Sequence, residues 1–320
     1  MSVQLLIFNV SAYKSCIIIL IQFFLGFLIT CIHNNENRMK YKKGDRVKHP
    51  TQSDWGLGEV LSDSNGEKVR VFFVGVGEKT IMLKYVQPIQ IQADEASHPV
   101  LDNLKIKKTS TGIKYQSLPE SIQFFLEKFP EGFYGEYFKN EERDYKDKAH
   151  LLAIDLLGET IFSSLLKNGE YAEIVKRALK VVNATNLIFP NEKMALKDGL
   201  LEAGAQEKFS KTLNALLYGD GDLKDRFEEF SKLLENIDAA KWTTVSYFLF
   251  ILLPEKYMFI KPTITQYSSE LCGFEINYKP QLNWLTYKSV LNFSDYIFSE
   301  LSDLHPRDMI DVQSFRLCHR

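Results

Sequence analysis

Two residues in the carboxyl-terminal half have the chemistry of an anion site. Lys261 lies in the stretch "EKYMFIKPTITQ", after Tyr257, and Pro262 follows it at the start of a predicted helix. Backbone N–H groups at a helix amino terminus favour a bound phosphate, and a neighbouring lysine adds to that preference. A solvated loop lysine has the same local sequence, so we treat Lys261 and Tyr257 as anion-binding candidates.

Four residues near the carboxyl terminus are of types that bind metals: Asp303, His305, Asp308 and Asp311 in "DLHPRDMIDVQSF". The same residue types also cap helices and cover their solvated faces, and we predict no metal site and no cofactor. No Ser-His-Asp order, G-x-S-x-G motif or H-E-x-x-H motif can be assigned in the chain. The sequence therefore favours a non-catalytic protein, with an enzyme left open as the alternative.

A third stretch, "GDRVKHPTQSDWGLGEVL", combines glycines, a tryptophan and basic residues. Gly56 and Gly58 predict tight backbone geometry between two strands, and no third glycine opens a helix as a dinucleotide-binding loop requires. Trp55 has two interpretations. It is either an exposed aromatic residue of the kind enriched at protein interfaces, or a cap on the core of a small module.

We predict that a partner protein binds this part of the chain. The candidate contact residues are the tryptophan and the basic and aromatic residues of the predicted outward strand faces: Trp55, Arg46, Lys48, Arg70 and Phe72.

A small sheet is required to position these residues. In "EKVRVFF" apolar residues alternate with other residues, which predicts a half-buried strand with Phe72 on its outer face. Asn65-Gly66 predicts a hairpin turn. The predicted strands are 44–49, 56–62, 67–74, 78–84 and 85–89. Five strands this short suit an SH3-like or Tudor-like barrel, because closure removes free sheet edges.

The segment "GDRVKHPTQSDWGLGEVL…KVRVFFVGVGEKTIML" resembles the module at the carboxyl terminus of PcrA/UvrD-type DNA helicases. The shared features are a G-D-x-V-x-H opening, an aromatic-Gly-x-Gly-x-V turn, V-x-F and G-x-K-T, with Trp55 in place of the usual Phe. This resemblance implies a Tudor/SH3-like fold, similar to polymerase-interacting domains of transcription factors such as CarD, and a docking surface for RNA polymerase. The helicase motor has no counterpart, because G-x-x-x-x-G-K-[ST] does not occur.

Composition and charge limit the classes of partner that the chain is expected to bind. The chain has 320 residues, 45% hydrophobic and 25% charged, which suits a globular protein of two domains. Residues 1–119 contain 15 Lys/Arg and 10 Asp/Glu, whereas residues 120–320 contain 24 and 31. This bias predicts at most weak or indirect nucleic-acid contact. Only two of the four cysteines, Cys272 and Cys318, lie beyond residue 38, which excludes a disulfide framework and indicates a cytoplasmic location.

The amino-terminal segment 1–38 is hydrophobic, and residues 16–32 read "CIIILIQFFLGFLITCI". This stretch is near the lower length limit for a membrane-spanning helix. Basic residues follow it, so the positive-inside rule predicts an inner-membrane anchor with a cytoplasmic body. Alternatively, translation begins at Met39. Both interpretations remain open at this point.

The fold class expected from these patterns is a small SH3/Tudor-like β-barrel followed by a larger all-α domain, with an amino-terminal hydrophobic helix. The predicted boundaries are 39–90 for the barrel, 91–116 for a linker and 117–320 for the all-helical domain. Ser117 is a predicted N-cap. Asn183 and Asn186 are either helix ends or hydrogen-bonding groups for a ligand.

The helical part resembles uncharacterised bacterial proteins that pair a Tudor-like module with a helical domain, in the segments "FPNEKMALKDGL", "FIKPTITQ", "NWLTY" and "DMIDVQSF". The expected function is non-catalytic: docking through the Tudor-like module onto the transcription or DNA-repair machinery, in particular RNA polymerase. The alternative is an enzyme or ligand-binding protein that acts on nucleic acid or a phosphorylated small molecule through the helical domain.

Overall fold

The computed structural model describes residues 41–104 and 115–317. The predicted hydrophobic segment 1–38 and the possible start at Met39 lie outside the described residues. The chain divides into two compact units. One unit runs to Phe73 and resumes over Glu78–Ala96, and the other comprises Val74–Gly77 and the chain from Ser97 onwards. We call them the β module and the helical unit.

The β module contains a five-stranded antiparallel sheet in the order β4-β3-β2-β1-β5. Its strands are β1 (Arg46–Lys48), β2 (Leu57–Val60), β3 (Lys68–Phe73), β4 (Gly77–Met82) and β5 (Ile89–Ile91). Each of the first four overlaps its predicted range. The prediction of a fifth strand at 85–89 was wrong over most of that range, because the N–H groups of Tyr85 and Val86 both donate to the carbonyl of Met82 and close a turn there.

Close packing between β2 and β3 explains one glycine of the opening stretch. Gly58 lies opposite Phe73 in the strand register. A Cβ atom at Gly58 would lie 2.7 Å from side-chain atoms of Phe73 and Val71, a separation that packed carbon atoms do not tolerate.

Gly66 has φ of +82° in the connection between β2 and β3. Asn65 does not have a positive φ, so the tight turn typical of Asn-Gly is not formed; its Oδ1 atom instead accepts hydrogen bonds from the N–H groups of Glu67 and Lys68 at 3.1 and 3.0 Å.

The helical unit begins inside the predicted linker. Its α-helices are α1 (Pro99–Asp102), α2 (Leu118–Lys128), α3 (Glu136–Phe138), α4 (Asp144–Leu157), α5 (Glu159–Lys167), α6 (Tyr171–Asn183), α7 (Pro190–Gly199), α8 (Ala203–Tyr218), α9 (Leu223–Asn236), α10 (Trp242–Leu252), α11 (Pro262–Leu271), α12 (Trp284–Glu300) and α13 (Met309–Leu317). A π-helical turn, Lys139–Arg143, joins α3 to α4. Leu104 forms an isolated bridge with Phe274.

Local sequence explains several helix starts. Ser117 caps α2 as predicted: its side chain accepts from the backbone of Glu120, whose carboxylate accepts from the backbone of Ser117 at 2.8 Å. This reciprocal capping box satisfies two N–H groups that have no partner inside the helix. Proline occupies the first turn of α7 and of α11, where its fixed φ suits a helix and its missing N–H costs nothing.

Helix α10 is the centre of the helical unit, because all eleven of its residues are buried. A helix that is apolar on every side must be surrounded by other elements. Beside it, Phe227 of α9 stacks on Tyr287 of α12, with ring centroids 4.6 Å apart and ring planes inclined by 6°.

Within the described residues, one helical run is long and apolar enough to cross a membrane by length and composition alone, namely Glu136–Lys167. Core helices of soluble proteins have the same length and composition. Arg143 and Lys146 of this run form ion pairs inside the helical unit, which is compatible with a soluble protein. The predicted membrane span at 16–32 lies outside the described residues.

Candidate protein-binding surface

Trp55 lies at the edge of the β-module core. It ends a short 3-10 helix, Ser53–Trp55, between β1 and β2. Its ring meets the buried ring of Phe73 edge-on, with centroids 5.2 Å apart, and contacts His49 at 4.6 Å. Trp55 remains partly exposed. The two interpretations of Trp55 therefore combine, since one side of the ring covers the core and the rest is open to solvent.

His49 and Lys79 both lie next to the Trp55 ring. The Nδ1 atom of His49 accepts hydrogen bonds from the backbone N–H groups of Gln52 at 3.1 Å and Thr51 at 3.3 Å. These bonds fix the loop that leads to Trp55. The Nζ atom of Lys79 lies 5.9 Å from the centroid of the Trp55 ring, within the range of a cation–π interaction.

Two of the three basic residues predicted to contact a partner, Arg46 and Arg70, form ion pairs within the β module. Arg46 pairs with Glu59 on the adjacent strand and donates from Nε to the carbonyl of Ala96 at 3.0 Å. Arg70 pairs with Glu78 of β4 at 2.6 Å. Lys48 is exposed and forms no ion pair in the described part of the chain. Of these three cations, Lys48 is the one whose charge is available to a partner.

Phe72 is buried, with 5% of its surface exposed, so its predicted outward position is wrong. It lies opposite Glu59 in the register, and Glu59 lies opposite Arg46. The exposed–buried alternation holds over Lys68–Val71, where Arg70 is exposed, and ends there, since Phe72 and Phe73 are both buried. Phe72 therefore contributes to packing rather than to an exposed surface.

Sequence reasoning missed the most exposed apolar residues of the module. Tyr85 has 77% of its surface exposed, and Met82 and Ile89 are about half exposed. Tyr85 and Met82 share the turn after β4, and Ile89 lies opposite Lys48 in the register of β1 with β5. The alternation in "TIMLKY" could have placed Met82 on the outer face. Tyr85, Met82, Ile89, Lys48 and Trp55 define what we call the candidate surface.

The anion-site candidates of the helical unit, Lys261 and Tyr257, lie on either side of the segment that leads into α11. Lys261 precedes α11, as predicted, and its Nζ atom lies 5.2 Å above the ring of Phe189. Burial raises the pKa of Tyr287, and Tyr257 adds a smaller effect in the same direction. In the described residues, no hydrogen bond joins Lys261 to Tyr257.

Two acidic residues near the carboxyl terminus, Asp308 and Asp311, form ion pairs with arginines. Arg143 forms a bidentate ion pair with Asp308, at 2.6 and 2.7 Å, and also contacts Asp311 at 3.1 Å. Arg307 binds both oxygens of Asp311 at 2.9 Å. No group of three potential metal ligands occurs in the described ranges. Burial by itself would lower the pKa of Arg143, but its hydrogen bonds to Asp308 and Asp147 raise it.

Cys272 is expected to resist alkylation by iodoacetamide in the native protein at mildly alkaline pH, and to react after unfolding in urea. Its side chain is buried, and burial raises the pKa of its thiol to about 12 against a smaller opposing effect of Arg316. The thiolate is the reactive form, so Cys272 is both protonated and inaccessible. Peptide mapping by mass spectrometry measures this residue separately, and native labelling as fast as that of a free thiol would contradict the prediction.

One family model matches the chain: proteins of unknown function, DUF3553, over residues 41–89. Neither the curated proteins nor the solved structures contain a match to this chain. The matched residues include β1 to β4, the turn with Tyr85 and the first residue of β5. The β module is therefore similar to a family of proteins whose function is not known.

Proposed function

We propose that the β module is an SH3- or Tudor-like docking module that binds a protein of the transcription or DNA-handling machinery, with RNA polymerase as the first partner to test. The protein then acts as a non-catalytic interaction protein. The observation that carries the proposal is the exposure of Tyr85, Met82 and Ile89 on a small module, with the unpaired Lys48 opposite Ile89 in the sheet.

The strand order supports the SH3- or Tudor-like part of the proposal. Consecutive strands from β1 to β4 are neighbours in the sheet, and β5 returns to pair with β1. A meander of short strands whose last strand returns to the first is the arrangement that a small closed barrel requires. The sequence resemblance to the helicase module covers the same segment.

The charge of the module favours a protein partner over nucleic acid. Residues 41–89 contain 8 Lys/Arg and 6 Asp/Glu, and Arg46 and Arg70 are paired with carboxylates of the module. Nucleic-acid-binding domains usually carry a strong excess of clustered Lys and Arg residues, whereas the excess here is only two charges. Exposed aromatic and methionine side chains, in contrast, are enriched where proteins bind each other.

A binding titration tests the proposal. Fluorescently labelled full-length protein is titrated with purified RNA polymerase, and the wild type is compared with Tyr85→Ala and Trp55→Ala. Because hot-spot aromatics account for much of a binding free energy, Tyr85→Ala is expected to weaken binding at least about tenfold. Trp55→Ala is expected to weaken binding and also to destabilise the module, since Trp55 packs on Phe73.

The control is Tyr137→Ala, which removes an exposed tyrosine from the helical unit, with 56% of its surface exposed against 77% for Tyr85. It is expected to bind as the wild type does. The proposal fails if wild-type protein does not bind the polymerase, or if Tyr85→Ala and Tyr137→Ala bind equally well.

A further inference from the structure

We propose that a groove on the helical unit binds an acidic amphipathic helix of a partner protein. The groove has a volume of about 520 Å³ and is lined by α6, by the end of α7 with the residues after it, and by Gln206 of α8. It is separate from the candidate surface of the β module and does not depend on the partner proposed there.

The floor of the groove is apolar. Val175 and Leu179 of α6 and Leu200 and Leu201 after Lys197 line it. Val175 and Leu200 are buried, whereas Leu201 has 70% of its surface exposed. A single exposed leucine is ordinary, but this one continues a concave apolar surface. Apolar side chains of a ligand can therefore remove Leu201 from water by filling the groove.

The rim of the groove is basic. Lys176, Lys180 and Lys197 line it, and no carboxylate is among the lining residues. Lys176 forms an ion pair with Glu173, with its Nζ atom 3.3 Å from a carboxylate oxygen. Lys180 and Lys197 form no ion pair in the parts of the chain that the structure describes. Because residues 120–320 contain 24 basic and 31 acidic residues, the groove is a basic site on an otherwise acidic part of the chain.

This charge pattern favours a helix with regularly spaced carboxylates. Lys176 and Lys180 are one turn apart on α6, which corresponds to a rise of about 6 Å. A helix lying along α6 presents Asp or Glu residues at the same interval and apolar residues at positions i, i+3, i+4 and i+7 toward the floor. Lys197 faces such a ligand from α7, and the Asn183 amide lines the same groove.

Segments of this chain outside the described residues do not have that chemistry. Residues 105–114, "KIKKTSTGIK", contain four lysines and no acidic residue, and residues 16–32 carry no charge. The lysines of the rim would repel the first segment and would remain unpaired against the second. Charge complementarity therefore assigns the groove to a partner protein.

A peptide titration tests this inference on the full-length protein. The probe is a fluorescein-labelled helical peptide of about 18 residues, or five turns, with Leu at i, i+3, i+4 and i+7 and Glu at flanking positions. Lys180→Glu combined with Lys197→Glu is expected to weaken its binding at least about tenfold, because like charges then oppose each other across the interface. Fluorescence anisotropy measures the dissociation constants.

Two controls complete the experiment. Lys208→Glu changes an exposed lysine of α8 outside the groove and is expected to leave the dissociation constant unchanged. A peptide with Lys in place of every Glu is expected not to bind the wild type. Equal binding of the two peptides, or equal binding by the double variant and by Lys208→Glu, overturns the inference. Neither result bears on the polymerase titration, which uses a different probe and different variants.

Discussion

Replacing Asp311 with alanine is expected to lower the free energy of unfolding of the helical unit by about 3–5 kcal/mol, the usual cost of removing one partner from a buried ion pair. The Asp311 side chain is fully buried. It accepts hydrogen bonds from the side chain and the backbone N–H of Arg307, and forms an ion pair with Arg143. The variant leaves both guanidinium groups without this acceptor, and neither can lose its proton at low cost.

The network around Asp311 links distant parts of the chain, which is why its loss affects the whole unit. Arg143 belongs to the π-helical turn before α4, and Asp308 and Asp311 lie at the start of α13. Arg307 also donates to the carbonyl of Phe133 at 3.0 Å. A single carboxylate therefore helps to hold together three segments that are far apart in sequence.

Asp147→Ala is the matched control, because Asp147 also pairs with Arg143, at 2.8 Å, but has 39% of its side chain exposed. Because water reaches Asp147 and Arg143 keeps its bonds to Asp308 and Asp311, the expected loss is about 1 kcal/mol, as for solvent-exposed pairs. Urea unfolding followed by circular dichroism at the helical band measures both variants. Equal losses of stability for Asp311→Ala and Asp147→Ala would show that burial of Asp311 is not what makes it important.

Phe125→Ala is expected to destabilise the helical unit by about 3–5 kcal/mol, as truncation of a buried phenylalanine usually does. Phe125 is completely buried in α2. Its ring contacts those of Phe129, Phe133, Phe138 and Phe315, with centroid separations from 4.8 to 5.9 Å. The alanine variant leaves a cavity among these rings, and a packed aromatic cluster closes such a cavity only in part.

Phe124→Ala is the control for this experiment, because Phe124 is the adjacent residue on the same helix and has 43% of its surface exposed. Its truncation is expected to change the free energy of unfolding by less than about 1 kcal/mol. The same urea titration measures both. Two variants with similar unfolding midpoints would contradict the assignment of the aromatic cluster as a main part of the core.

The candidate surface of the β module was only partly predictable from sequence. The segment itself was identified correctly as a small β structure, because alternation and the Asn65-Gly66 connection depend on neighbouring residues. The ion pairs of Arg46 and Arg70 were not predicted, since each is formed with a carboxylate on an adjacent strand. Sequence reasoning also missed Tyr85, whose exposure depends on how the turn after β4 leaves the sheet.

In the helical unit, the interactions of the acidic carboxyl-terminal residues were also only partly predictable from sequence. From sequence, Asp308 and Asp311 could bind a metal, cap a helix or cover its solvated face, because these uses require the same residue types. Asp308 does cap α13, since its Oδ1 atom accepts a hydrogen bond from the backbone N–H of Ile310 at 2.9 Å. Both aspartates also bind arginines, which was not predicted. Arg143 is 165 residues from Asp308 in the chain, and no local pattern connects them.

The sequence by itself determined the order of β and helical segments, the cap at Ser117 and the start of a helix at Pro262. These features depend on residues within one or two turns of each other, so composition and spacing are sufficient to predict them. Only the tertiary structure decided which charges are paired, that Phe72 is buried, and that lysines of α6 and α7 surround one apolar groove. Those features depend on which surfaces meet when distant segments pack, and packing is a property of the whole chain.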